Sequence, residues 1–307
     1  MPLFFTIAGI MMAVKQPDFT DVKGLISRRV RNLLIPYMWF SILYFFMDIL
    51  NLYIENITIE NFYVNLISSL TFYGKSVMWF LTALFLAEVY FILLKSRLKD
   101  SIVAICVFVI AAVCVLLVTA VPFFGANSSV SLWATGAINF IKTFIRAGIV
   151  LPFVAAGYFL WKPMKKLIHF KGVGTASDNK KTVFNGIKPM EALLGIMLTV
   201  LCIAVSMKNW SVDTNNMILG DPILYYIGGI AGSFGTLLLC KVIPGIGLLK
   251  FFGKNSLIVM ATHLDCYILW AGIKITLILA GLIPMRGFVI TTLFVIFTLL
   301  FESICIV

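Results

Sequence analysis

Residues 15–37 read Lys-Gln-Pro-Asp-Phe-Thr-Asp-Val-Lys-Gly-Leu-Ile-Ser-Arg-Arg-Val-Arg-Asn-Leu-Leu-Ile-Pro-Tyr. Five cations (Lys15, Lys23, Arg28, Arg29 and Arg31) stand between two apolar runs, and the second run starts at Leu33. Arg28 and Arg31 are three apart, so a helix projects their side chains from one face. A cation pair of this kind at a membrane surface has two uses. It holds the basic side of the chain in place, or it grips the phosphates of a ligand.

The rest of the chain decides that a membrane is involved. Its 307 residues are 61% hydrophobic and 12% charged, with a mean hydropathy of +1.05. A soluble domain holds about 45–50% apolar and about 25% charged residues, so this is an all-α, polytopic integral membrane protein. The net charge of +11 is therefore placed relative to a bilayer before any nucleic-acid partner is invoked, and none is expected. Six cysteines lie inside apolar runs with no CxxC and no histidine at metal spacing. They read as small buried hydrophobes rather than disulfides or zinc ligands. No basic n-region precedes the first apolar run, so a secretory signal peptide is not read there.

Nine apolar segments are expected, at roughly 2–14, 33–54, 77–94, 101–121, 138–161, 189–207, 222–242, 256–273 and 288–307. Most approach the ~20 residues that a helix needs to cross ~30 Å of hydrocarbon. Gly228, Gly229, Gly232 and Gly235 give the seventh a small-residue face suited to close packing. Lysine and arginine alternate between the connections: eighteen in one set of loops against four in the other. Cytoplasmic loops carry the excess, so 15–32 is expected in the cytoplasm and Met1 on the outer face. A short opening segment with no charge ahead of it delivers an outside N-terminus poorly. A preceding inside-to-outside helix is therefore expected upstream of this sequence, and the nine segments form one domain.

Several stretches resemble bacterial membrane acyltransferase family 3, which includes O-acetylases of surface polysaccharides and fucose 4-O-acetylase-like proteins. Residues 1–9 resemble the opening of that family's second helix. Arg28-Arg29-Val30-Arg31-Asn32-Leu33-Leu34-Ile35-Pro36-Tyr37 resembles its basic motif and the Leu-x-x-Pro-Tyr that follows. Met78-Trp79-Phe80-Leu81, Leu151-Pro152-Phe153 to Leu160, and Gly253-Lys254-Asn255-Ser256-Leu257 with His263 resemble three later motifs, in order. The resemblance implies a ten-helix bundle of which this chain carries helices two to ten. It also implies transfer of an acyl group, usually acetyl, from cytoplasmic acyl-CoA to a sugar hydroxyl of a surface or exported polysaccharide. Acetyl-CoA is then a co-substrate, no cofactor or metal is bound, and a carbohydrate or lipid-linked sugar is the acceptor. The family's catalytic histidine lies in the first helix, eleven positions after a basic residue. His169 and His263 have Tyr158 and Phe252 at that spacing, so neither fits, and the sequence as it stands is expected to be inactive alone.

The resemblance selects Arg28 and Arg31 as the acyl-CoA grip, since guanidinium groups hold phosphate oxygens bidentately. The bland alternative is orientation and contact with anionic lipid, at about 1 kcal/mol per cation. Lys142 and Arg146, four apart within the fifth segment, are candidates for a polar cavity, as are Glu88, Glu302 and Asp265, with Asp48 a further acid within a segment. Charged groups inside the membrane usually face a wet cavity or a partner; for Lys142, snorkelling at a helix end competes. His263 is a secondary catalytic candidate against a packing role. Trp79 is either an interfacial anchor or a sugar-stacking platform. The competing class is non-enzymatic, a transporter-like or flippase-like bundle or a degenerate relative, but the broken repeat helices of a transporter are not evident.

Overall fold

The computed structural model describes residues 1–54, 56–120, 132–168, 189–242, 247–262 and 298. Two compact units emerge: Met1–Ile35 with Leu81–Pro244, and Pro36–Phe80 with Gly245–Val307. Every described element of regular structure is helical apart from one isolated bridge between Asp213 and Ile218. Six helices among the described residues are long and apolar enough to span a membrane.

In the first unit α1 (Pro2–Lys15) starts with proline at its first turn, where the missing N–H costs nothing, and ends at Gln16 in the left-handed region, φ 41°. Helix α2 (Val22–Arg29) follows, then a π-helical turn (Val30–Leu34) that runs directly into α3 (Ile35–Tyr53). The expected loop at 15–32 is thus mostly helix, and the second apolar segment continues a helix that begins at Val22 rather than at 33. Asp21 caps it, accepting from Gly24 N at 2.9 Å, and no proline interrupts residues 18–35. The π-turn has an identifiable cause. Pro36 lacks an N–H and its ring crowds the carbonyl four residues back; just before it, the Ile35 N–H bonds to Val30 O, five residues back.

The centre of this unit is α7 (Leu132–Ile168). It is six residues longer at its start than expected, and nearly every side chain from Ile145 to Ala155 is buried. Helix α1 packs on it through reciprocal glycines. A Cβ on Gly9 would lie 1.9 Å from Val154 O, and one on Gly157 would lie 2.1 Å from Thr6 O. Such backbone approach drives membrane helix association where lipid leaves no hydrophobic force. Helix α6 (Asp100–Ala120) packs on α7 at Gly148, against the Cys114 side chain. Helix α5 (Trp79–Arg97) reaches it through Phe91, 5.0 Å from the Tyr158 ring. The glycine face expected on α9 (Pro222–Val242) is used: Gly228, Gly232 and Gly235 meet Val205, Cys202 and Thr199 of α8 (Pro189–Lys208). Tyr226 Oη donates to Ile149 O at 2.9 Å and ties α9 to α7.

The second unit holds α3 and a helix that the span-length reading did not anticipate, α4 (Ile59–Leu70). At 12 residues it is about 18 Å long, too short to cross. Thr58 caps it by accepting from Asn61 N. Tyr37 Oη donates to Ser69 O at 2.7 Å, and the Phe45 and Phe62 rings meet at 5.8 Å. The turn into α5 needs three left-handed residues, Phe72, Gly74 and Ser76. Gly74 has no room for a side chain, because a Cβ would lie 2.4 Å from Trp79 N. Helices α10 (Gly247–Lys254) and α11 (Ser256–Thr262) complete the described part. Most of the two last expected segments, with His263, Asp265 and Glu302, lies outside the described residues, as does His169.

Candidate functional site

The basic motif stands on α2, and its rotation is set from both ends. At the start, the Phe19 ring packs edge-on to Tyr158 at 6.0 Å, and Lys95 Nζ lies 5.9 Å from each of these two ring centres. Lys95 also pairs with Asp100. Leu25 is buried. One turn later Arg29 Nε lies 2.8 Å from Glu88 Oε2 of α5, with side-chain exposures of 20% and 5%. The Arg29 N–H is not aligned along that axis, so the contact is an ion pair rather than a linear hydrogen bond. Leu25 and Arg29 are four apart and define the inward face. Arg28 and Arg31 are exposed on the other side; Arg28 is 69% exposed and lies 3.9 Å from Asp21. This is a pair of guanidinium groups held outward by a third that points in.

Glu88, expected in a polar cavity, is therefore the partner of Arg29. Arg146 is fully buried, fourteen residues into α7, and donates from Nη2 to Asn215 O at 2.7 Å. It is a buried polar anchor for the backbone at Asn215. Asn139 and Thr143 lie on the same side of α7, also buried, at the spacing of successive turns. The half-buried Lys142 is ten residues from the helix start, so the snorkelling reading loses its premise of a nearby end. Asn215 belongs to a well-tied turn. Asn209 donates to Leu219 O and Asp221 O at 3.0 and 3.1 Å and accepts from Asp221 N. Trp79 is 5% exposed, so its ring is neither a free platform nor a lipid-facing anchor.

The second unit has a separate polar group. Asp48 Oδ1 lies 2.5 Å from Lys75 Nζ, and Asn65 Nδ2 donates to Asp48 Oδ2 at 3.2 Å. Lys75 also sits over the Tyr44 ring, whose hydroxyl donates to Ala261 O. Asp48 borders a cavity of about 340 Å³ between α3 and α4, with Phe45 and Phe62 among its walls. Thus the sequence candidates do not converge on one site. Glu88 belongs with the α2 motif, Arg146 with the 209–221 turn, and Asp48 with Lys75. Sequence reading missed Arg29 and Lys75 as partners. For Arg29 the available signal was helical phase, since it falls one turn after Leu25. For Lys75 no local signal exists, because its carboxylate is 27 residues away. Among the described residues no cluster of histidine, cysteine and carboxylate suits a metal.

A helical bundle with six candidate spans, glycine-mediated helix contacts and charged groups paired inside it is a multi-pass membrane protein. Its family follows from the comparison with known families: the acyltransferase domain model matches residues 1–306, so the chain belongs to acyltransferase family 3 and is a membrane acyltransferase. No curated protein and no solved structure matches the chain.

Proposed function

We propose that this acyltransferase moves an acetyl group from cytoplasmic acetyl-CoA to a hydroxyl of a surface or exported carbohydrate, in the bacterial cytoplasmic membrane. The observation that carries the reading is the outward exposure of both Arg28, on α2, and Arg31, in the π-turn that continues it. Coenzyme A offers a 3′-phosphate and a pyrophosphate, and guanidinium forks suit such oxygens better than ammonium groups do. The charge alternation supports a cytoplasmic α2, on the side where acyl-CoA is found, with Met1 at the outer face.

In the reaction the acceptor oxygen attacks the thioester carbonyl. A C–O bond forms, the C–S bond breaks, and the hydroxyl proton ends on the departing thiolate, so no redox partner is needed. The resemblance assigns the relay of this proton to a histidine, and His263 is the secondary candidate among this chain's own residues.

The test is transfer of labelled acetyl from acetyl-CoA in membranes expressing the gene. Charge-assisted hydrogen bonds contribute about 1.5–3 kcal/mol each, and 1.4 kcal/mol is about tenfold in affinity. Arg28→Ala and Arg31→Ala should each weaken donor binding by roughly 10–100-fold, and together abolish transfer with insertion intact. Unchanged acetylation in the double variant would refute the assignment.

A further inference from the structure

We propose that Glu88 is a positioning residue for the donor site: through Arg29 it selects the rotation of α2 that leaves Arg28 and Arg31 both turned away from the helix packing. The inference rests on the donor reading above and goes beyond it, because Glu88 itself touches no donor. Three guanidinium groups lie within four positions, 28, 29 and 31, and each is a chemically competent partner for one buried carboxylate. Successive helical residues are about 100° apart. Pairing Glu88 with Arg28 instead would turn the helix by one such step, pull one member of the pair inward and expose Arg29. Pairing with Arg31 would do the same to the other member.

The observed choice agrees with the burial of Leu25, one turn before Arg29, and with the packing of Phe19 against Tyr158. Glu88 is 95% shielded while Arg29 is 80% shielded, so the carboxylate is fixed in the packed wall of α5 and the arginine comes to it. Neutral packing in place of the pair would keep the helix seated but remove the selection. Leu25 and the Phe19 ring are apolar and tolerate small rotations, whereas an ion pair at 2.8 Å does not.

The experiment measures binding of coenzyme A to the purified full chain in detergent, alongside thermal unfolding. Four variants are compared: Arg28→Ala/Arg31→Ala, Glu88→Gln, Arg29→Met/Glu88→Leu and the charge swap Arg29→Glu/Glu88→Arg. The apolar pair should unfold like the unmodified chain yet bind coenzyme A roughly tenfold more weakly. The swap should recover most of that loss, which a purely structural role would not require. Wild-type affinity in the folded apolar pair, with affinity lost in Arg28→Ala/Arg31→Ala, overturns the positioning role and leaves the donor site standing. Wild-type affinity in Arg28→Ala/Arg31→Ala overturns the donor site and this inference with it. Should the apolar pair fail to fold, the decision passes to the other two: weak binding by Glu88→Gln restored by the swap supports positioning, and weak binding by both refutes it.

Discussion

Replacing Gly9 or Gly157 by alanine tests the packing of α1 on α7 with a sign and a size. The added Cβ at Gly9 meets a backbone carbonyl at 1.9 Å, while real contacts of this kind do not fall below 3.0 Å. The two backbones must therefore part by about 1.1 Å at that point. A gap of 0.5–1 Å already forfeits a quarter to a half of a van der Waals contact, and α1 has six buried residues, Phe5, Thr6, Gly9, Ile10, Met12 and Ala13. Overpacking costs typically 1–3 kcal/mol; an obstruction by backbone, which cannot swing aside, puts each substitution near the top, about 3 kcal/mol. At roughly 2 °C per kcal/mol for a chain this long, the unfolding midpoint in detergent should fall by about 6 °C. Gly247→Ala and Gly253→Ala are the controls, since nothing lies within 4 Å of a Cβ at either. In a helix that exchange is favourable by up to about 1 kcal/mol, so those midpoints should hold or rise. Gly9→Ala/Gly157→Ala should cost less than the two singles together, because both force the same separation. Fluorescence-detected size-exclusion after a heating series measures all five. If Gly9→Ala and Gly157→Ala match the controls, the close approach is not what joins these helices.

Two further outcomes concern buried charge. Lys75→Met strands the Asp48 carboxylate and should lower stability by about 3–5 kcal/mol, whereas Lys75→Met/Asp48→Leu should recover most of it; a double-mutant cycle on unfolding midpoints reads the difference, and additive losses would argue against the pair. Arg146→Met removes the donor to Asn215 O and should cost about 1–3 kcal/mol, seen as faster protease cleavage in the 209–221 turn with transfer activity lost no more than the folded fraction; cleavage at the unmodified rate would show that the turn does not depend on Arg146.

The fold was readable where one residue type answers to one physical demand. Apolar runs near the span length marked most of the long helices, and the α9 glycines marked the face that α8 occupies. Helix ends were less legible because a membrane helix continues past its apolar part when a cap permits. Asp21 lets the second segment start at Val22, within a stretch whose charge reads as loop. Helix α4 escaped because it is capped and amphipathic but too short for a window built on the bilayer's thickness. The α2 motif was legible as a cation pair, but its inward partner was not. Arg28, Arg29 and Arg31 differ only in phase, and phase depends on what Leu25 and Glu88 meet in space. Lys75 counted as a loop charge until the fold brought it to Asp48.

The shortness of α4 has a consequence for how the chain is inserted. An element of this length gives insertion machinery too little apolar surface to commit it as a crossing, so the chain emerges on the same side before Ile59 and after Leu70. Asn65 and Ser69 hold α4 against α3 through Asp48 and Tyr37. Reporters fused at 57 and at 73 should accordingly read the same compartment, and the alternation of every later loop is left undisturbed.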